Sequence, residues 1–165
     1  MRKVLLSAFV LLVGGFLLIQ LLPYGRNHSN PPVINEPAWD SSQTKELAVR
    51  ACYDCHSNET VWPWYSNVAP VSWLVQHDVD EGRQYLNFSE WGSGRGEGKE
   101  GDEMAEVIYE GEMPPPYYLL THPEARLTDA EKQSLANGLL TIAGGEREGQ
   151  ESRGESEEYE ENDDD

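Results

Sequence analysis

Five consecutive residues, Cys52-Tyr53-Asp54-Cys55-His56, hold both cysteines of the chain and one of its four histidines. Two thiols separated by two residues and followed at once by an imidazole form the C-x-x-C-H pattern of covalent haem attachment. In that chemistry each thiol adds to one vinyl group and the histidine ligates iron. The spacing lets the sulfurs reach two vinyl positions, and the next residue can turn beneath the macrocycle. One motif implies one haem c per chain, covalently attached.

Three other chemistries use the same residues. A redox dithiol pair expects a preceding strand and an alternating sheet around it, which the sequence lacks, and it leaves His56 without a role. A structural zinc needs four ligands; His77 or His122 could join the thiols and His56, but there is no second closely spaced ligand pair. A plain disulfide suits an oxidising compartment, yet so short a loop would stabilise little fold.

For the sixth iron position the sequence offers Met113, 57 residues beyond His56 in Gly111-Glu112-Met113-Pro114-Pro115-Pro116. Helix cannot continue through these prolines, and their stiffness lowers the entropy cost of holding a thioether against the distal face. His77 and His122 are the alternatives, and bis-histidine ligation would lower the reduction potential. Met104 reads as a core side chain. Neither His77 nor His122 belongs to an acid/base constellation.

The elements that must position these groups read as helices. Asp40 with Gln43 is the expected cap of a helix whose Leu47, Ala48 and Ala51 lead to Cys52. After an aromatic block at Trp62, Trp64 and Tyr65, a second helix is expected from Pro70 through Val71, Leu74, Val75 and Val79, closing near Gly82-Arg83. Trp73 is a packing residue on it. Gly92 to Gly101 has no hydrophobic side chain to hold it down and reads as a mobile excursion. Asp102 opens a helix with Met104, Val107 and Ile108. Thr128 and Glu131 form a capping box before Leu135, Leu139, Leu140 and Ala143, with a stop expected at Gly144-Gly145. No strand-length alternation stands out. The fold class is therefore all-α, with long loops, and a porphyrin would complete a core that so short a chain could not easily fill alone.

The two ends differ from this middle. Arg2 and Lys3 precede Val4–Leu22, an uncharged run of 19 residues, which is membrane length. It reads as one N-terminal transmembrane helix rather than a cleaved signal, because no small-residue cleavage site follows Leu22. The basic N-terminus would stay cytoplasmic and the rest would face outward, into a periplasm. Asn27 to Pro37 reads as an extended spacer with His28 in solvent. The chain has a net charge of −18, and Glu146 to Asp165, with 11 acidic and 2 basic residues, carries half of it. That tail reads as disordered by like-charge repulsion, with a docking strip for a basic partner as the alternative. The middle is acidic too, which argues against nucleic-acid binding. The expected organisation is an anchor or signal segment at 1–22, a linker at 23–38, a domain at 39–145 and a disordered acidic tail at 146–165.

From Trp39 to Ala143 the chain resembles the bacterial haem-binding domain family related to c-type cytochromes. The likeness lies in CYDCHSNETVWPWYSNVAPVSWLVQHDVDEGRQYLNFSEW and EGEMPPPYYLLTHPEARLTDAEKQSL. The resemblance implies a small cytochrome c-like haem-binding domain, with thioethers at Cys52 and Cys55, His56 proximal and Met113 distal. The expected function is one-electron transfer at the outer face of the cytoplasmic membrane, to a periplasmic or membrane redox protein, by a carrier rather than an enzyme. The competing expectation is a haem-based sensor or peroxide-active enzyme with a displaceable distal ligand. Tyr117 and Tyr118, after the prolines, could fix the approach of the distal segment.

Overall fold

The computed structural model describes residues 1–92 and 101–158. The glycine-rich excursion, at 93–100, and the end of the acidic tail, at 159–165, lie outside the described residues. Six α-helices appear among those described: α1 (Arg2–Ile19), α2 (Ser42–Ala51), α3 (Tyr53–His56), α4 (Val71–Tyr85), α5 (Gly101–Tyr109) and α6 (Asp129–Glu158). Short 3-10 turns at Trp64–Asn67, Tyr118–Leu120 and Pro123–Ala125 punctuate the loops. The described residues form no sheet; one isolated parallel bridge joins Asn35 to Glu90. This is the all-α domain with long loops expected from the periodicity.

The helix starts follow capping chemistry. Ser41 rather than Asp40 caps α2: its backbone is extended (φ −153°, ψ 157°) and its hydroxyl accepts from Thr44 N at 3.1 Å. Asp40 stands one residue too early to reach the first free N–H groups. The capping box at Thr128 forms, with Thr128 N donating to Glu131 Oε2 at 2.8 Å and Glu131 N to Thr128 Oγ1 at 3.3 Å. Helix α6 runs past Gly144-Gly145 to Glu158, so the chain does not leave the helix where the sequence places a stop. Gly144 does not adopt the positive φ that ends a helix, and the Glu and Arg residues that follow are strong helix formers.

Leu47, Ala48, Tyr53, Phe88, Met104, Ile108, Leu135, Leu139 and Ile142 form the core, joining α2, α3, α5 and α6. Met104 is buried there, as its place on the apolar face of α5 suggests. Phe88 is fully buried between the rings of Tyr53 and Trp91, with centroids 5.6 and 5.9 Å away. Full burial of such a side chain stabilises the fold by about 1.5–3 kcal/mol.

The segment read as an extended spacer is hydrogen-bonded to the domain. Asn30 Nδ2 donates to Thr60 O at 2.9 Å, Ile34 N to Ser89 O at 2.8 Å and Trp91 N to Asn35 O at 3.0 Å. His28, expected in solvent, stacks on Trp62 (4.5 Å, 12°), with its Nε2 3.1 Å from Ser66 O. Arg83 joins these pieces: Nε donates to Ser57 O at 2.8 Å, Nη1 to Ser29 O at 3.1 Å, and Nη2 to Thr60 Oγ1 at 2.9 Å and Asn30 Oδ1 at 3.1 Å. Asparagine amides and backbone carbonyls have no apolar periodicity, so their pairing is invisible to a hydropathy reading.

Candidate functional site

Helix α2 ends at Cys52, where the backbone leaves helical geometry (φ −123°, ψ −35°), and a single new turn, α3, carries Cys55 and His56. His56 N and Cys55 N both donate to Cys52 O, at 2.9 and 3.2 Å, which coils the motif into one compact turn. Behind it lies α4. A Cβ built on Gly82 would stand 2.5 Å from Cys55 O and 2.9 Å from Cys55 Cβ, so only glycine permits this approach. The contact lets His56 Nδ1 reach Gly82 O at 2.9 Å and Leu86 O at 3.2 Å. Both partners are carbonyl oxygens, so Nδ1 carries the proton and Nε2 keeps its lone pair.

The opposite wall is set by the end of α5. Gly111 adopts φ +76°, Gly111 N donates to Ile108 O at 3.3 Å and Glu112 N to Val107 O at 3.0 Å. This is a Schellman cap, and it turns the chain out of the helix before the prolines begin. Met113 N also donates to Val107 O, at 3.0 Å, fixing the backbone of the methionine. The sequence locates the break at the prolines; the structure adds the glycine cap that aims it.

Between these walls lies a cavity of about 530 Å³, lined by Cys52, Cys55, His56 and Met113 together with Gly82, Leu86, Phe88, Met104, Ile108, Tyr117, Tyr118 and Leu139. Its volume is that of a cofactor site. The donor set fits a haem: two thiols, an imidazole with a free ring nitrogen and a thioether converge on one largely apolar space. Several wall residues, Phe88, Met104, Ile108 and Leu139, also belong to the core, so the cavity is where the core is incomplete.

The electrostatics agree with this chemistry. Burial pushes both thiols up to about 12, so neither is poised as a thiolate in the way a redox dithiol requires. Burial lowers the pKa of His56, against the raising effect of its bonds to Leu86 and Gly82, and a neutral imidazole is the form that binds a metal. Both cysteines are free thiols, and although Cys52, Cys55 and His56 share the cavity wall, among the described residues no three His, Cys, Asp or Glu side chains stand close enough together to hold one metal ion.

His77 and His122 do not line the cavity. His77 is more than half exposed on α4, with Nε2 3.4 Å from Glu81 Oε2. His122 stacks on Tyr118 (4.0 Å, 12°), with Nε2 4.0 Å from Asp54 Oδ2. The two tyrosines after the prolines bond carboxylates: Tyr118 OH donates to Asp54 Oδ2 at 2.7 Å and Tyr117 OH to Asp78 Oδ2 at 3.2 Å. Asp54 lies between the two thiols, so the distal segment is tied directly to the attachment motif. Burial and the Asp54 bond raise the Tyr118 pKa, which keeps the hydroxyl a donor. Nothing local in the sequence marks these pairs.

The architecture is that of an all-α domain closed around a cofactor cavity, with a C-x-x-C-H turn on one side and a Met-Pro segment on the other. The model of the haem-binding domain family matches residues 14–141, most of the chain, and the protein belongs to that family. No curated protein and no solved structure matches it.

Proposed function

We propose that the protein carries one covalently attached haem c and transfers single electrons at the outer face of the cytoplasmic membrane. The observation that carries this reading is the convergence of Cys52, Cys55, His56 and Met113 on one cavity. Each thiol would add across a vinyl group, its sulfur bonding one vinyl carbon and its hydrogen going to the other. His56 would hold the iron through Nε2, and its Nδ1–H bonds to Gly82 and Leu86 hold the ring against rotation. Met113 would offer its thioether as a second protein ligand. Bound haem supplies a one-electron ferric/ferrous couple. Leu86, Phe88, Met104, Ile108 and Leu139 offer the porphyrin an apolar wall, and Tyr117 and Tyr118 hold the distal segment in place.

Helix α1, long and apolar enough to cross a membrane and with no residue buried in the protein, serves as the anchor. Its retention is supported by the bonds between its end and the domain: Gln20 Nε2 donates to Ala69 O at 2.9 Å and Ala69 N to Gln20 Oε1 at 3.0 Å. A segment removed on export has no use for so specific a joint. The redox partner is a periplasmic or membrane protein.

The test is to produce the chain with haem-maturation machinery and compare it with Met113→Ala. The expected result is haem that stays with the denatured chain in both proteins, and a low-spin six-coordinate spectrum that the variant loses. Haem released by denaturant would refute the covalent reading, and an unchanged variant spectrum would remove Met113 as ligand. The competing reading, a sensor or peroxide-active enzyme, is favoured by one feature: Met113 is 39% exposed, so its side of the cavity can open. Gas or peroxide binding at the resting iron would select it.

A further inference from the structure

We propose that Trp64 and the first turn of α4 form a second membrane contact, which seats the domain on the lipid headgroup layer beside the anchor. The inference rests on the reading of α1 as a retained transmembrane helix. The 18 residues of α1 extend about 27 Å at about 1.5 Å each, close to the roughly 30 Å of a hydrocarbon core. Gln20, the next residue, therefore stands at the edge of the headgroup layer.

Gln20 is not free there. Its amide pairs in both directions with the peptide groups of Ala69, a fully buried residue, so this joint is internal to the protein. Gly25 makes a second joint: at φ +77° it lies so close to the Ser72 carbonyl that a Cβ would run into it. The chain thus leaves the bilayer already bound to Ala69 and Ser72, and whatever flanks these residues is held near the lipid surface.

What flanks them is exposed and apolar. Trp64 is 80% exposed and Val61 74%, while Val71 and Leu74 present 42% and 47% on the first turn of α4. Trp64 lies five residues before Ala69, across a 3-10 turn that ends at Asn67 and the extended Val68, which keeps its backbone within about 13 Å of the joint at about 2 Å per 3-10 residue and about 3.3 Å per extended one. The headgroup layer is about 5–8 Å deep, so one indole ring can reach it. The neighbouring aromatics are otherwise engaged: Trp62 stacks on His28 and Tyr65 OH donates to Thr121 Oγ1 at 2.9 Å. Trp64 meets Tyr65 edge to face (5.8 Å, 77°) and still leaves most of its indole exposed, in the place where indole is favoured at a membrane surface. Arg26, exposed and donating to Gln20 Oε1 at 3.3 Å, puts a cation at the same level.

The test uses the haem-loaded full chain in phosphatidylcholine vesicles doped with a phosphatidylcholine bearing a photoactivatable diazirine near its glycerol, with lipid adducts mapped by mass spectrometry. The expected result is adducts on α1 and on the Val61–Leu74 stretch, the latter lost in Trp64→Ser and in Gln20→Ala and kept in Trp64→Phe, with helix content unchanged by circular dichroism. Adducts on α1 alone would overturn the seating, leave the anchor standing and assign Trp64 to a protein partner or a second copy. Release of the chain by alkaline carbonate, with no adduct on α1, would overturn the anchor and the seating together.

Discussion

The two walls of the cavity are built by opposite means. On the His56 side every constraint is internal: the ring is held by two carbonyls, Phe88 N donates to His56 O at 2.8 Å, and Gly82 packs against Cys55 with no room to spare. On the Met113 side the methionine is 39% exposed, and the segment after it is held by two tyrosine hydroxyls reaching Asp54 and Asp78. Moving the first wall breaks the core. Moving the second breaks hydrogen bonds of about 0.5–1.5 kcal/mol each. One side of the site is thus fixed by packing and the other is adjustable by a few polar contacts, and the choice between the proposed closed carrier and its open, ligand-binding rival would be made on the adjustable side.

The largest test of this contrast is on the fixed side. Cys52→Ser with Cys55→Ser should abolish haem retention on a denaturing gel; retained stain would place attachment elsewhere. Gly82→Ala comes next. Its new methyl group must push α3 from α4, and overpacking of this kind costs about 1–3 kcal/mol. A denaturant midpoint equal to wild type would show that the wall is softer than its contacts imply.

Effects on the adjustable side should be smaller and of another kind. Tyr118→Phe removes one hydroxyl and should leave haem content unchanged, while carbon monoxide should bind the ferrous protein about fivefold faster, as loss of about 1 kcal/mol from the closed state implies. Tyr117→Phe, whose bond is longer, should do less. Equal rates in all three proteins would transfer control of Met113 to the prolines alone.

The smallest effect is remote from both walls. Glu131, bonded to Thr128 and Arg50, is held down to about 2 from 4.5, chiefly by the Thr128 N–H. A carboxylate depressed in the folded state contributes stability that is present above its unfolded pKa and lost as pH falls through its folded one. Melting curves of wild type and Glu131→Gln should therefore differ above pH 4.5 and converge toward pH 2. A constant difference would remove Glu131 from the acid limb.

What could be read from the sequence was whatever its chemistry makes local. C-x-x-C-H is short because adjacent sulfurs and a ligand must meet one macrocycle, and the Thr128–Glu131 box is short because a cap reaches one turn. The helix break before Met113 was legible because prolines end a helix wherever they fall. The Asp40–Ser41 shift shows the limit of this reading, since either residue type caps a helix and only the backbone angles choose. Gln20 with Ala69 and Tyr118 with Asp54 are 49 and 64 residues apart, and such pairs leave no periodic trace. The same holds for the 27–37 segment, whose prolines and asparagines suggest an extended spacer and give no sign of its bonds to Arg83 and Ser89.

The Tyr118–Asp54 bond also couples the two walls. Asp54 stands between the two cysteines in the chain, so the hydroxyl that holds the distal segment is bonded within the cysteine turn itself. Any movement of the Met113 segment that carries Tyr118 away therefore takes a hydrogen-bond donor from the carboxylate beside both cysteines, and the adjustable wall is felt at the fixed one.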